Sequence, residues 1–408
     1  MKMQNRRPLA KVSMFGVTYL HRQNPYLIAW WSAAFPGFGQ FLCNQYIRAT
    51  FLTLFELIIN TLAHVNEAIV YMFCGKFDMS ISVLRPQWAV GYIIIYIYTI
   101  WDSFRTTIVQ NKMCDLAEFE NDRLSNMYLS SSEIQYIEQK NPFTAAAYSF
   151  FFPGLGQLYN HRFVLAFYAI FWVWFYITYS HIYESMLYLF IGKTQESITI
   201  LHPHWLMFLP SIVGGATYHA FITAIEHNRL FRLEQRQFLT ERYMNSSINI
   251  FYLEGVDNLL ITGTFEHSLE LEQALAQLEK NGIARKHIKA ISMDTDPNSP
   301  NQLISKKGEL HYRAFEVGMA SATACSVVGT SIGFILKLGP IFWGLFTAIL
   351  GFIIGFGLYL IFKKRTHRNL LKQLPEVIVN VNCKEEQTDF VIKTMWKYNA
   401  LSVGKASR

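Results

Sequence analysis

The chain reads as an α-helical polytopic membrane protein carrying a cytoplasmic α+β module, ferredoxin-like in its element order and split by a transmembrane hairpin. Three observations predict this. Of 408 residues only 16% are charged while 51% are hydrophobic and 16% aromatic, a balance suited to lipid-facing helices and interfacial belts rather than to a soluble core. The chain also aligns with itself: a shift of 117 residues pairs 24–112 with 141–229 without a gap and gives 27 identities in 89 pairs. From residue 258 onward the pattern changes to that of soluble strands and helices, interrupted by two long apolar stretches.

Residues 1–23 are basic and lack a small-residue cleavage site behind a short apolar core, so no cleaved signal peptide is expected. The copies that follow share Asn24-Pro25 with Asn141-Pro142, Tyr71-x-Phe73-x-Gly75-Lys76 with Tyr188-x-Phe190-x-Gly192-Lys193, and Leu84-x-Pro86-x-Trp88 with Leu201-x-Pro203-x-Trp205. Each holds three apolar segments. The first, Tyr26–Leu42 and then Phe143–Tyr159, is interrupted by Pro36-Gly37-x-Gly39-Gln40 and Pro153-Gly154-x-Gly156-Gln157. Proline removes a backbone donor and glycine adds freedom, which predicts a broken, re-entrant or interfacial element. A phosphate-cradling loop would need Gly-Lys-Ser/Thr where Gln40 and Gln157 stand, so the bend is the better account.

The second segments, Ala49–Cys74 and Phe163–Ile191, contain no Lys or Arg and are long enough to span a hydrocarbon core of ~30 Å. With the third segments, Trp88–Trp101 and Trp205–Ala224, this gives two crossings per copy. The linker 113–140 is expected as an amphipathic or solvated helix beside the membrane, and 230–257 as a second linker.

Within 258–408, Asn258–Phe265 is apolar and β-branched, Ser268–Asn281 has helical spacing with Gly282 behind it, and His287–Met293 closes a β-α-β unit. Glu376–Asn382, Glu385–Tyr398 and Leu401–Lys405 repeat that order. Between the halves, Phe315–Leu336 and Ile341–Phe362 read as a transmembrane hairpin over 315–362. Both ends of a hairpin lie on one side of the membrane, so the halves can meet. Gly329, Gly333, Gly344, Gly351 and Gly355 recur at helical spacing, which suits a close helix–helix seam, although glycine is also common in membrane helices generally.

The net charge of +7 is a topology signal rather than a nucleic-acid footprint, because no basic tract is interleaved with stacking aromatics. If the broken first segments do not cross, the extracytoplasmic loops carry only Lys76, Arg85, Lys193 and Lys337 of 36 basic residues. The opposite orientation would translocate Arg6, Arg7, Lys11 and the Lys363-Lys364-Arg365 cluster. A cell-membrane protein with both termini in the cytoplasm is therefore expected. Were all three segments to cross, the copies would be inverted and 113–140 would lie outside. Cys43, Cys74, Cys114, Cys325 and Cys383 show no C-x-x-C spacing, so neither a zinc ribbon nor a disulfide framework is indicated.

The candidate polar sites are few. His64-x-x-Glu67 recurs as His181-x-x-Glu184, and the second copy adds His202 and His204; together His181, Glu184, His202 and His204 would suit a divalent metal. The competing account is that His and Glu end a spanning helix and bond to the loop. Glu56 falls inside an apolar run, where an ionised carboxylate is costly; it is either a functional acid or a structural one bonded to Gln40 or Asn60. Trp30, Trp31, Trp88, Trp172 and Trp205 fit interfacial anchoring.

At the Pro-Gly-x-Gly-Gln segments the repeats resemble the bacterial two-transmembrane domain family, with PGLGQLYN at 153–160 and Asp102 at the position of that family's span-closing Asp; the second copy departs there, carrying His219. From about 258 the chain is similar to small general-stress proteins in which a glycine-zipper membrane segment separates two βαβ halves. Both resemblances imply membrane embedding without chemistry to carry over. The expectation is a non-catalytic sensor, adaptor or scaffold linked to stress or envelope physiology, with a small-solute or divalent-metal transporter as the alternative. No cofactor beyond that divalent metal is indicated. The expected partners are the lipid bilayer and, through the cytoplasmic module, a protein or a second copy of the chain.

Overall fold

The computed structural model describes residues 8–13, 15–120, 124–131, 134–244, 258–293, 302–364 and 376–406. Arg6, Arg7 and Arg365, which weigh in the orientation argument, lie outside them. Copy 1 begins with a hairpin, β1 (Ala10–Ser13) and β2 (Gly16–Tyr19), and continues through α1 (Pro25–Ala34), α2 (Phe38–Leu42), α3 (Tyr46–Ala63), α4 (Val65–Phe73), α5 (Phe77–Val83) and α6 (Pro86–Glu120). Copy 2 follows the same order except that the counterpart of α6 is divided in two: β3 (Met127–Leu129), β4 (Ile134–Tyr136), α7 (Pro142–Phe151), α8 (Leu155–Tyr159), α9 (Phe163–Ser180), α10 (Ile182–Phe190), α11 (Thr194–Ile200), α12 (Pro203–Leu206) and α13 (Leu209–Leu239).

The two strand hairpins correct the reading of 113–140 as a helix beside the membrane. Helix α6 runs on to Glu120, after which the chain folds into β3 and β4. Met127 pairs with Tyr136 as Ala10 pairs with Tyr19, a shift of 117 residues in both strands, so the structural duplication starts near residue 10. Short alternating runs on either side of a serine-rich turn favour a hairpin over a helix. The hairpins bury Val17, Tyr19, Leu124 and Ile137 against Leu230 and Phe231. That contact also corrects the second linker, since α13 passes through residue 230 and ends in a π-helical turn, Thr240–Met244.

Among the described residues, five helices are long and apolar enough to cross a membrane: Tyr46–Ala63, Phe163–Ser180, Pro203–Tyr243, Leu310–Gly333 and Gly339–Phe362. The protein is therefore built as an α-helical membrane protein. Helices α1 and α7, at ten residues each, reach only about 15 Å, half of a hydrocarbon core. The second apolar segments do not continue as single helices. At His64 and His181 the backbone turns left-handed, and the remaining residues fold into the short pairs α4–α5 and α10–α11.

The long arms α15 (Gln302–Gly333) and α16 (Gly339–Lys364) pack closely. A Cβ added at Gly329 would lie 2.0 Å from Thr347 Oγ1, at Gly344 2.3 Å from Thr330 Oγ1, and at Gly355 2.4 Å from Ser321 Oγ. Gly333 and Gly351 face Pro340 and Cys325 in the same way. Flanking this hairpin in sequence are β5 (Asn258–Phe265), α14 (Leu269–Lys280) and β6 (Ile288–Ser292) on one side, and β7 (Val377–Lys384), α17 (Thr388–Lys397) and β8 (Ser402–Ala406) on the other. Their strands form one antiparallel sheet in the order β6-β7-β5-β8. Leu271, Leu275 and Leu278 of α14 and Val391 and Met395 of α17 cover Ile261, Val379 and Val381. The chain leaves the sheet at Met293 and returns at Glu376, and these two residues are joined by an N–H···O bond of 2.8 Å.

Overpacking at the seam gives a direct test. Gly329→Val is expected to lower stability by about 1–3 kcal/mol in thermal unfolding of the detergent-solubilised protein. Gly357→Val, where nothing lies within 4 Å of the added Cβ, serves as the neutral control.

Candidate functional site

In each copy the glutamine after the Gly-x-Gly turn binds the long helix of that copy. Gln40 Nε2 donates to Thr99 O at 3.1 Å and to Asp102 Oδ2 at 3.0 Å. Gln157 Nε2 donates to Ala216 O at 2.9 Å and lies 3.3 Å from His219 Nδ1. The turn needs glycine for its shape as well as its closeness: Gly37 has φ 93°, and a Cβ there would lie 2.6 Å from Thr53 Oγ1. Pro36, Gly37, Gly39 and Gln40, like Pro153, Gly154, Gly156 and Gln157, therefore form a bend latched by a buried amide. A second latch repeats too. Asn111 exchanges two hydrogen bonds with the backbone of Gln23, both 2.9 Å, and Asn228 does the same with Lys140 at 2.6 and 2.7 Å.

The copies differ in charge. In copy 1, Asp102 is 1% exposed and pairs through Oδ1 with Arg48 Nη2 at 2.6 Å. Copy 2 carries Leu165 and His219 at those places, so it has neither partner. Its cation is Arg162, which replaces Gln45 and is 6% exposed. Arg162 Nη1 donates to Asn44 Oδ1 at 3.1 Å and to Tyr46 OH at 3.0 Å, and its guanidinium lies over the Tyr19 ring at 4.7 Å. Its Nε has no acceptor. With His21, Gln23 and His219 it lines a narrow cavity that Leu42, Tyr218 and Ile222 also line. Burial, and then the charge of Arg162, push the His21 imidazole down to about 3, which leaves that ring neutral near pH 7.

His219 also lines a larger, apolar cleft between the copies. Phe35, Phe38 and Phe41 come from copy 1, and Leu165, Tyr168 and Trp172 from copy 2. Of the tryptophans read as interfacial anchors, Trp172 is thus a cleft wall, and Trp31 is fully buried and stacked on Tyr218 at 4.8 Å. Thr53 also lines the cleft, and one turn further along α3 is Glu56, 3% exposed. Asn60 Nδ2 donates to Glu56 Oε1 at 2.8 Å and to Asn66 Oδ1 at 3.1 Å, and Asn66 Nδ2 donates to His204 O at 3.1 Å. Glu56 thus uses Asn60 and not Gln40, and its Oε2 is buried without a partner.

The four residues expected to hold a divalent metal do not converge. His181 Nδ1 pairs with Glu184 Oε2 at 3.3 Å, while His204 turns to Thr61 of copy 1, Nε2 to Oγ1 at 3.0 Å. Among the described residues no group of three or more His, Cys, Asp or Glu is arranged for a metal ion. The reason is positional. His181 sits in a left-handed link between helices, whereas His204 lies on α12 with its ring packed against Trp205 and Phe208.

Comparison with family models, curated proteins and solved structures finds no match to this chain. Asn111 and Asn228 are an identity of the repeat alignment, a signal open to sequence reading that was not singled out. Arg162 shows in sequence only as a place where the copies differ.

A third polar assembly joins the membrane helices to the sheet module. Leu239 and Tyr243, at the end of α13, are buried in the module's own core. Gln235 Nε2 donates to Ser268 O and Glu272 Oε1, both 2.7 Å, and its Oε1 lies 2.9 Å from His267 Nδ1. Gln139 Nε2 donates to His267 O at 2.5 Å, and Arg242 pairs with Glu279 at 2.8 Å. Glu279 also accepts from Arg285 and Tyr243; burial raises its carboxyl, and these donors outweigh burial to bring it to about 2.

The repeated asparagine latch can be tested alone. Asn228→Ala removes two bonds to backbone groups and is expected to cost about 1–3 kcal/mol in detergent thermal unfolding. Asn228→Gln, whose amide is displaced by one methylene, should not restore the wild-type value.

Proposed function

We propose that the chain is a non-catalytic membrane sensor or adaptor, in which the sheet module takes up a partner or ligand and its state is passed to the membrane helices. The observation that carries this reading is that α13 belongs to both parts. Its membrane stretch packs against α7 and α15, and its end supplies Leu239 and Tyr243 to the module's core. The module is tied to the membrane a second time by the α15–α16 hairpin inserted between β6 and β7, so a shift of its sheet acts on two linked membrane elements. A ferredoxin-like sandwich is part of the proposal, supported by the strand order and by two helices covering one face. The likeness of the repeats to the two-transmembrane domain family belongs to it as well. Against the transporter alternative, the cleft between the copies is lined mainly by apolar and aromatic side chains, and neither Arg162 nor Glu56 lines it.

The same reading counts α6 as a sixth crossing beside the five long apolar helices, and so places both termini and the sheet module in the cytoplasm, with α4–α5 and α10–α11 on the outer face. Cys114 is buried, so labelling needs introduced sites. A membrane-impermeant thiol reagent added to intact cells should label Asp78→Cys and not Lys405→Cys; the reverse pattern would refute the orientation.

Docking is expected to weaken in acid. Burial lowers the His267 imidazole below its ordinary value, with Glu376 partly offsetting this. A proton therefore binds more readily to the undocked module than to the docked one, and as pH falls below about 6.5 the undocked form gains. Hydrogen exchange at 268–275 should accelerate with falling pH, and Leu239→Asp should give fast exchange there already at pH 7.5 while 259–264 stays protected. Unchanged exchange in the variant would remove the coupling role.

A further inference from the structure

The junction between the two copies is made by unlike faces. Copy 1 contributes β2 and the short helices α1 and α2, and copy 2 contributes one side of α9 and of α13. Trp31 is stacked on Tyr218 at 4.8 Å, Phe41 meets Tyr168 at 5.0 Å, and Arg162 lies over the Tyr19 ring. A junction of this kind uses one face of each repeat and leaves the opposite face of each repeat free. The repeat alignment names the residues that stand there. A shift of 117 leads from Trp31 to Tyr148 and from Tyr218 back to Trp101. Trp31 and Tyr218 are buried, whereas Tyr148 and Trp101 are 47% and 53% exposed. Each pair holds one Trp and one Tyr with the places exchanged, so the free pair has the volume of the buried one.

The two free faces continue beyond the apolar layer. Val17 of β2 and Leu230 of α13 are buried in one apolar cluster. Their counterparts, Ile134 of β4 and Met113 of α6, are 50% and 42% exposed. Met113 stands 27 residues along α6, about 40 Å from its start, and so past a hydrocarbon core of ~30 Å. Lipid can cover Tyr148 and Trp101. It cannot reach Ile134 and Met113, which stand in water where their counterparts stand in an apolar core. At the other end of the junction His204 is buried against Thr61 of copy 1, Nε2 to Oγ1 at 3.0 Å, and its counterpart Gln87 is again exposed. The asymmetry therefore holds along the whole height of the repeats.

We propose that a second copy of this chain covers these faces: the side of copy 2 bearing Ile134 and Tyr148 docks on the side of copy 1 bearing Met113 and Trp101 in the neighbouring molecule. The contact repeats between chains the junction that joins the copies within one chain. Each molecule carries both halves of it, and the buried version shows that the two surfaces fit. Because the faces are unlike, the association runs head to tail. It uses the duplicated half and leaves the sheet module free, and it is tested by association alone, apart from the sensor reading.

Full-length Ile134→Cys and Met113→Cys chains with different tags would be co-expressed and treated in native membranes with a short, membrane-permeant bismaleimide; the native cysteines are common to every sample. A mixed-tag product is expected from this pair and from neither variant alone, since in a head-to-tail contact a residue never meets its own copy. Met113→Cys with Trp396→Cys, an exposed residue of α17, measures chance collision. Adding Tyr148→Ala to the first chain and Trp101→Ala to the second should abolish most of the mixed product. Both rings are exposed in the single chain, so the detergent unfolding midpoints of these variants should match wild type. Product from either variant with itself would overturn the proposal in favour of a symmetric contact. Equal yield in the collision control, full yield without the ring pair, or a product with another protein in place of the mixed one would overturn it too.

Discussion

A helix that must satisfy two solvents at once determines the arrangement of this molecule. Helix α13 is 31 residues long, about 46 Å, and so outlasts a hydrocarbon core by several turns. Inside the apolar layer its small residues admit close neighbours: a Cβ at Gly214 would lie 2.1 Å from Thr323 Oγ1 of α15, and one at Gly215 2.9 Å from Phe38 of copy 1. Beyond that layer the same helix turns Leu230 and Phe231 to the strand hairpins and Leu239 to the sheet module. Each neighbour is positioned against this one rod, so the duplicated half, the inserted hairpin and the sheet module share one frame of reference.

The duplication shows how a membrane protein can keep a backbone while exchanging its electrostatics. The parts that repeat are those that satisfy backbone groups in an apolar setting: the Gln latches on α6 and α13, the Asn latches on Gln23 and Lys140, and the left-handed links at His64 and His181. Those demands follow from the backbone and are the same in both copies. The parts that diverge are charged groups, Arg48 and Asp102 in one copy against Arg162 and His219 in the other, because charge depends on what lies beside it.

Much of this was legible in the residues. Asn258–Phe265 was read as a strand with the bounds it has, because β-branched residues are bounded by turn and cap residues on both sides. The glycines of α15 and α16 were assigned to a seam by spacing, and each faces the opposite arm. The strand hairpins were missed because Met127–Leu129 and Ile134–Tyr136 are only three residues each, too short for a period to show, and the repeat alignment falls to few identities upstream of Asn24. The metal set failed for a different reason. His181 and His204 are close in sequence, but a helix break at His181 and the start of α12 at Pro203 aim them apart, and neither orientation is encoded in spacing.

The strand order has a consequence for how the chain comes to be made. The central pair of the sheet joins β5 to β7, residues such as Thr262 and Asn380 that stand 118 positions apart. During synthesis β5, α14 and β6 emerge first, with β5 and β6 separated by an empty slot that only β7 can fill. Between them and β7 the ribosome must deliver both arms of the hairpin. The sheet is therefore completed only after the last two membrane helices have left the ribosome, and a closed sheet is a record that they have done so.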